Sequence, residues 1–173
     1  GTPISRAVAT VRYRVGDVTY TREVFASYPA NAIAIRITAS QPGKLDFTAG
    51  FRCPHKDSAV KATDESTLAL RGSPARKALS YRSSREVTNP MKFEARLIAS
   101  AEGGSVKAGD AGIAVRGATS ATLKLVAATS YNGYEDVSGD PAAKCAKAAA
   151  AIAAKSSDAL LAEHLADYRK LLD

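Results

Sequence analysis

Apolar and polar residues alternate with a period of two through most of the chain, which predicts a protein built from short antiparallel strands. In AVATVRYRV the residues Ala7, Ala9, Val11, Tyr13 and Val15 share one side of the pleat, while Thr10, Arg12 and Arg14 share the other. This is the pattern of a half-buried strand. Gly16-Asp17 reads as a two-residue hairpin turn, with Gly taking the positive φ such turns need, and VTYTREVFAS returns from Val18 to Ser27. After Tyr28-Pro29-Ala30-Asn31, the residues Ile33, Ile35 and Ile37 line one face of a third strand. Gln41 to Lys44 then turn the chain into LDFTAGF, where Leu45, Phe47, Ala49 and Phe51 share a face. These four strands are expected to be consecutive antiparallel neighbours.

The middle is less regular. CPHKDSAVKATDE reads as a loop, STLALRG as a short strand, and SPARKALSYRSSREVTNP as a second connection with a weak strand around Ala78 to Arg82. Alternation resumes in MKFEARLIAS, where Met91, Phe93, Ala95 and Leu97 oppose Lys92, Glu94 and Arg96, and Gly103-Gly104 reads as the hairpin turn that ends it. SVKAG, GIAVRG and ATLKLVAATS bring the series to about nine strands, which suits a sandwich or barrel.

The pattern then changes period. Asp140 suits an N-cap and Pro141 the first helical position. The helix AAKCAKAAAAIAAK has high propensity but little to pack, so it is expected to be exposed or to lie on a flat surface. A second helix restarts at Ser156 or Ser157, with Leu161, Leu165, Tyr168 and Leu172 as an apolar stripe at helical spacing. The fold expected is mainly β: a large antiparallel β-sandwich over residues 1–130, then a polar connection and two C-terminal linker helices over 131–173.

Composition adds limits. With 173 residues and 46% hydrophobic content the chain fills one core, and no run of about eighteen apolar residues suggests a membrane span. GTPISRAVATVRY lacks the regions of a signal peptide and enters a strand almost at once, so the chain reads as an excerpt of a longer protein. The net charge of +7 invites a nucleic-acid reading. Yet Arg12, Arg14, Arg22, Arg36, Lys92 and Arg96 are scattered singly, without interleaved stacking aromatics, and read as a solvated basic face. Cys53 and Cys145 lie far apart at no metal-like spacing and read as two free thiols or one long-range bridge, the free thiols being favoured.

Candidate chemistry gathers in SYNGYEDVSGDP. Glu135, Asp136 and Asp140 beside Tyr131 and Tyr134 offer the carboxyl groups glycosidic acid/base work requires. The simpler reading is a polar connection ending in a helix cap, since such loops commonly carry Asn, Gly and Asp. Its spacing misses the EF-hand pattern. Cys53, His55 and His164 are too sparse for zinc, and His164 reads as a helix-interface residue with Asp167 as hydrogen-bond partner. No nucleophile elbow or phosphate-binding glycine loop occurs, and no cofactor is expected. Tyr81, Tyr131 and Tyr134 on a β scaffold leave a carbohydrate-binding module as an alternative.

VTYTREVFASYP and TSYNGYEDVSGDP, with NPMKFEARLIASAEGG and HLADYRKLLD, resemble the N-terminal domain of glycoside hydrolase family 95, the α-L-fucosidase family. The likeness runs over nearly the whole chain and is weakest from Cys53 to Asn89. It implies a β-sandwich of the many-stranded super-sandwich type that precedes an (α/α)₆ barrel, joined to it by a helical linker. It also implies that the catalytic groups for inverting cleavage of terminal α-1,2-fucose lie in that barrel, with none in this chain. On this resemblance the partners are the barrel of the same parent chain and, through it, a fucosylated oligosaccharide, and a secreted or periplasmic parent is favoured. Tyr131, Asn132, Tyr134, Glu135 and Asp136 become contacts to carbohydrate or to the barrel. Leu161, Leu165, Tyr168 and Leu172 become an interdomain helix face.

Overall fold

The computed structural model describes residues 6–74, 77–79, 86–88 and 91–171. Among them the strands are β1 (Ala9–Val15), β2 (Val18–Ser27), β3 (Ala32–Ala39), β4 (Leu45–Ala49), β5 (Ser58–Ala62), β6 (Thr67–Gly72), β7 (Lys77–Leu79), β8 (Glu86–Thr88), β9 (Phe93–Glu102), β10 (Ser105–Gly109), β11 (Gly112–Ala118) and β12 (Ser120–Thr129). Two helices follow, α1 (Pro141–Ala153) and α2 (Ser157–Arg169). The fold is mainly β and antiparallel, as the alternation predicts. Of the weak strand expected around Ala78 to Arg82, only the part within β7 is described; Tyr81 and Leu172 lie outside the described residues.

A seven-stranded sheet, ordered β1-β2-β3-β12-β9-β6-β5, forms the middle layer. A three-stranded sheet, β10-β11-β4, covers part of one face, and β7 and β8 pair separately. Between the two sheets lie Leu68, Leu97, Ile113 and Leu123, joined by Leu45, Val115, Ala118 and Ala121. The helices occupy the other face, where Phe25, Ala32, Ala34 and Val126 meet Ile152 and Leu160. This last cluster joins residues from both sides of the expected boundary at residue 130.

Four expectations change. β4 does not pair with β3; it crosses to the second sheet and pairs with β11, so the first four strands are not a meander. Gly103-Gly104 is likewise a corner between sheets rather than a hairpin, since β9 and β10 belong to different sheets. A Cβ on Gly104 would fall 2.0 Å from the Arg116 carbonyl oxygen, so the two chains can approach there only without a side chain. The stretch from Cys53 to Glu65, expected as a loop, contains β5, an edge strand whose Val60 and Ala62 reach the core while its lysine faces away. Finally, β1 is exposed along its whole length, because nothing in the second sheet reaches its apolar side.

Alanines suit α1 because it lies on a sheet face whose opposing residues are small or charged. Lys124, in the middle of β12, is buried and donates to three carbonyls at the helix's C-terminal end: Ile152 at 2.9 Å, Ala153 at 3.0 Å and Lys155 at 2.6 Å. The Ile152 carbonyl also accepts from the Lys155 amide at 3.1 Å, and a cation complements the negative end of the helix dipole. At the other end Asp140 accepts from the amides of Ala142 and Ala143. In α2 the deepest residues are Leu160 and His164, one position before the expected stripe; Leu161, Leu165 and Tyr168 are half-buried along its flank. His164 sits between Phe25 and Tyr168, and its Nε2 lies 3.1 Å from the Arg6 carbonyl, which replaces Asp167 as its partner.

Burial pushes the Lys124 ammonium below the ordinary lysine range. The unfolded chain therefore binds that proton more tightly, and stability rises with pH between the folded value and the ordinary 10.5. Replacing Lys124 with Met should cost about 2–3 kcal/mol by leaving the carbonyls without their charged donor. Thermal melts of both proteins from pH 7 to 11 should show the rise in the wild type to be steeper than in the variant. Equal melting temperatures would show that water replaces the ammonium at no cost.

Candidate functional site

The polar connection between β12 and α1 is a closed hydrogen-bonded loop. Ser130 ties its base to β9, its amide donating to the Lys92 carbonyl and its hydroxyl accepting from the Lys92 amide, both at 2.9 Å. The amides of Asn132 and Gly133 both donate to the Asp136 carbonyl, and the Gly139 amide returns to the Ser130 carbonyl at 2.9 Å. A Cβ on Gly139 would lie 2.8 Å from that carbonyl oxygen and 2.5 Å from Asn132 Oδ1, so the loop closes around a glycine. Lys144, on the first turns of α1, reaches back to the carbonyls of Thr129 (3.2 Å) and Tyr131 (2.7 Å) and to Asn132 Oδ1 (2.8 Å).

The carboxylates have separate tasks. Asp136 accepts from the Ser138 hydroxyl at 2.6 Å, the Ser138 amide at 2.8 Å and Asn132 Nδ2 at 3.0 Å. The bonds from Ser138 first, then that from Asn132, hold its carboxyl down at about 2. Asp140 is occupied in capping α1, and Glu135 is exposed on the loop's outer side. Tyr131 and Tyr134 project from the loop with 51% and 92% of their surface open, giving an aromatic tip on a rigid base. The five residues singled out from the sequence thus lie in one loop, but its two hydrogen-bonded carboxylates are structural acceptors.

Beside the loop opens a cleft of about 570 Å³, lined by Arg71, Lys92, Phe93, Ser138 and the first residues of α1. Its floor holds Glu94, a fully buried carboxylate between Arg71 (2.5 Å) and Arg96 (2.6 Å). Arg96 also donates to the Ala142 carbonyl at 3.3 Å, and the Cys145 thiol to the Glu94 carbonyl at 3.1 Å. Burial pushes that thiol up, with the Glu94 charge adding to the shift. Cys53 and Cys145 are both free, as expected. Arg36 and Arg96 are not part of a solvated basic face: Arg36 meets Asp158 at 2.6 Å and Arg96 meets Glu94.

The Glu94 network and Lys124 escape a reading of the sequence because alternation assigns charged strand positions to solvent. Their signal is positional: they lie on the same side of the sheet as Ala34 and Val126, which the helices cover. Among the described residues no three His, Cys, Asp or Glu side chains converge to hold a metal ion. No helix there is long and apolar enough to cross a membrane.

Residues 3–134 match the family described as glycosyl hydrolase family 65, N-terminal domain. The chain is 33% identical to Alpha-L-fucosidase 2 of Arabidopsis thaliana over 188 aligned residues, 98% of this chain and 22% of that protein. In fold it is similar to "Putative kojibiose phosphorylase from human microbiome", with a TM-score of 0.55 at 9% identity, over 95% of this chain and 23% of that one. The chain therefore spans about a fifth of the length of either protein. The family match covers the strands and reaches into the polar loop as far as Tyr134, so the chain belongs to the glycosyl hydrolase family 65 N-terminal domain family.

Proposed function

We propose that this chain is the accessory, non-catalytic sandwich of a family 95-type α-L-fucosidase, an inverting hydrolase whose catalytic groups lie in a helical barrel elsewhere in the parent polypeptide. The observation that carries this reading is the 33% identity to Alpha-L-fucosidase 2 along almost the entire chain; the likeness to the phosphorylase, at 9%, speaks only to fold. The loop chemistry supports it. A general acid needs a carboxyl held near the working pH, and Asp136 is held far below that.

The chain alone should not turn over an aryl α-L-fucoside, and NMR titration should place the Asp136 midpoint near 2. Its contribution to loop stability is then complete above the ordinary 3.8 and lost as pH falls through about 2. Turnover that disappears in Glu135→Ala or Asp136→Ala would make the loop a catalytic site and end the accessory reading.

In the parent, the exposed tip of Tyr131 and Tyr134 and the half-buried flank of Leu161, Leu165 and Tyr168 serve as the contacts that brace the barrel. Asn132, Glu135 and Asp136 shape that tip. Leu165→Asp and Tyr168→Asp should lower the parent's kcat by about tenfold or more through misplacement of the barrel, since small displacements cost rate steeply. Unchanged turnover and melting temperature in both variants would reduce α2 to a tether. The exposed tyrosine pair also favours a second reading, a module that itself binds fucosylated glycan through aromatic platforms. Calorimetry with such glycans decides it: saturable heat abolished by Tyr134→Ala supports the module, and no heat at millimolar ligand removes it.

A further inference from the structure

The middle sheet has seven strands and the sheet facing it has three. At about 4.8 Å per strand the second sheet is some four strand widths narrower than the first. The uncovered ground is mainly apolar, with Arg22 set opposite Val11. Val11, Tyr13 and Val15 of β1 are 53%, 46% and 62% exposed, and Ile33 of β3, on the same side of the sheet, is 39% exposed. Tyr13 stacks on Tyr20 at 5.2 Å, forming the floor of a groove of about 650 Å³ that runs beneath β4. β4 is the last strand of its sheet, hydrogen-bonded to β11 on one side only. This side of β4 therefore offers both unpaired backbone groups and an apolar floor, the two components of strand addition.

We propose that polypeptide of the parent beyond these 173 residues adds a β-strand to the free edge of β4, extending the three-stranded sheet over β3, β2 and β1. The assignment of the occupant rests on the parent proposed above, in which this chain is about a fifth of the length of its relatives. Continuity supports it: Phe47 of β4 already belongs to the core between the sheets, and the groove extends that core outward. Charge refines the occupant. Arg22 lies in the groove and makes no ion pair among the described residues; Lys44 and Asp46 line the same groove, and Asp46 Oδ1 accepts from the Gly117 amide. The added strand therefore alternates apolar residues toward the floor and places a carboxylate against Arg22.

The test is hydrogen exchange by mass spectrometry on the full-length parent and on the 173-residue chain. Amides of β4 should exchange at least tenfold more slowly in the parent. Arg22→Glu in the parent should reduce that protection, whereas Arg12→Glu, on the opposite side of β1, should leave it. Equal exchange in the two proteins overturns the proposal. So does slow exchange in the 173-residue chain accompanied by a dimer in sedimentation, which would make a second copy the occupant. Assaying the parent on an aryl α-L-fucoside separates the two readings: protection without turnover keeps the added strand and removes the fucosidase, and turnover without protection does the reverse.

Discussion

The arrangement of the helices depends on charges buried on the helix-facing side of the middle sheet. Lys124 holds the C-terminal end of α1, and Arg96, itself fixed by the Glu94 carboxylate, donates to the Ala142 carbonyl in its first turn. An alanine-rich helix has little apolar surface with which to dock, so burial of methyl groups alone fixes neither its position along the sheet nor its direction. Directional hydrogen bonds from fixed strand positions do both. Each charge would be expensive in isolation; each is satisfied because the end of the helix brings carbonyls or a guanidinium lies alongside. Sheet and helix therefore complete one another's polar groups, and α2 follows, tied by Arg36 to Asp158 and by Leu160 to the same core.

A second constraint operates where the chain changes sheets. Thr119 links the corner: its amide donates to Glu102, its carbonyl accepts from Ala39 and its hydroxyl accepts from Gly43, so three crossing segments meet on one residue. Glycines at 43, 103, 104 and 117 take positive φ there, and β11 carries a bulge between Val115 and Ala118. Such corners let strands leave one sheet for the other without losing backbone pairing.

Strand alternation made most of the β structure legible, because in most strands the larger apolar residues face the space between the sheets. The Asp140-Pro141 helix start was legible for a local reason, since a cap uses only neighbouring residues. Pairing was not legible: Gln41 to Lys44 and Gly103-Gly104 carry ordinary turn residues, and nothing local separates a hairpin from a corner between sheets. β5 was hidden because an edge strand needs only Val60 and Ala62 on its inner side. The apolar line of α2 was found one residue out of place, since a stripe of leucines does not reveal that His164 can be buried between Phe25 and Tyr168. The loop was legible as a cluster of residue types. Its chemistry was not, because the state of Asp136 depends on where the Ser138 amide and hydroxyl point.

These features give the surfaces of the domain different characters. The helix side is closed by charge pairing, so substitutions there act on stability. The loop is rigid at its base, through Ser130, Gly139 and Lys144, and open at Tyr134, so its aromatic tip is presented with little freedom to lose on contact. The face over β1 is the reverse, mainly apolar and unclosed, and the free edge of β4 borders it. A catalytic cleft needs carboxyls whose proton affinity is raised or shared. Here the loop carboxylates Asp136 and Asp140 are committed to backbone and hydroxyl donors instead. The polar groups of this loop thus set its shape, in keeping with the accessory role proposed above.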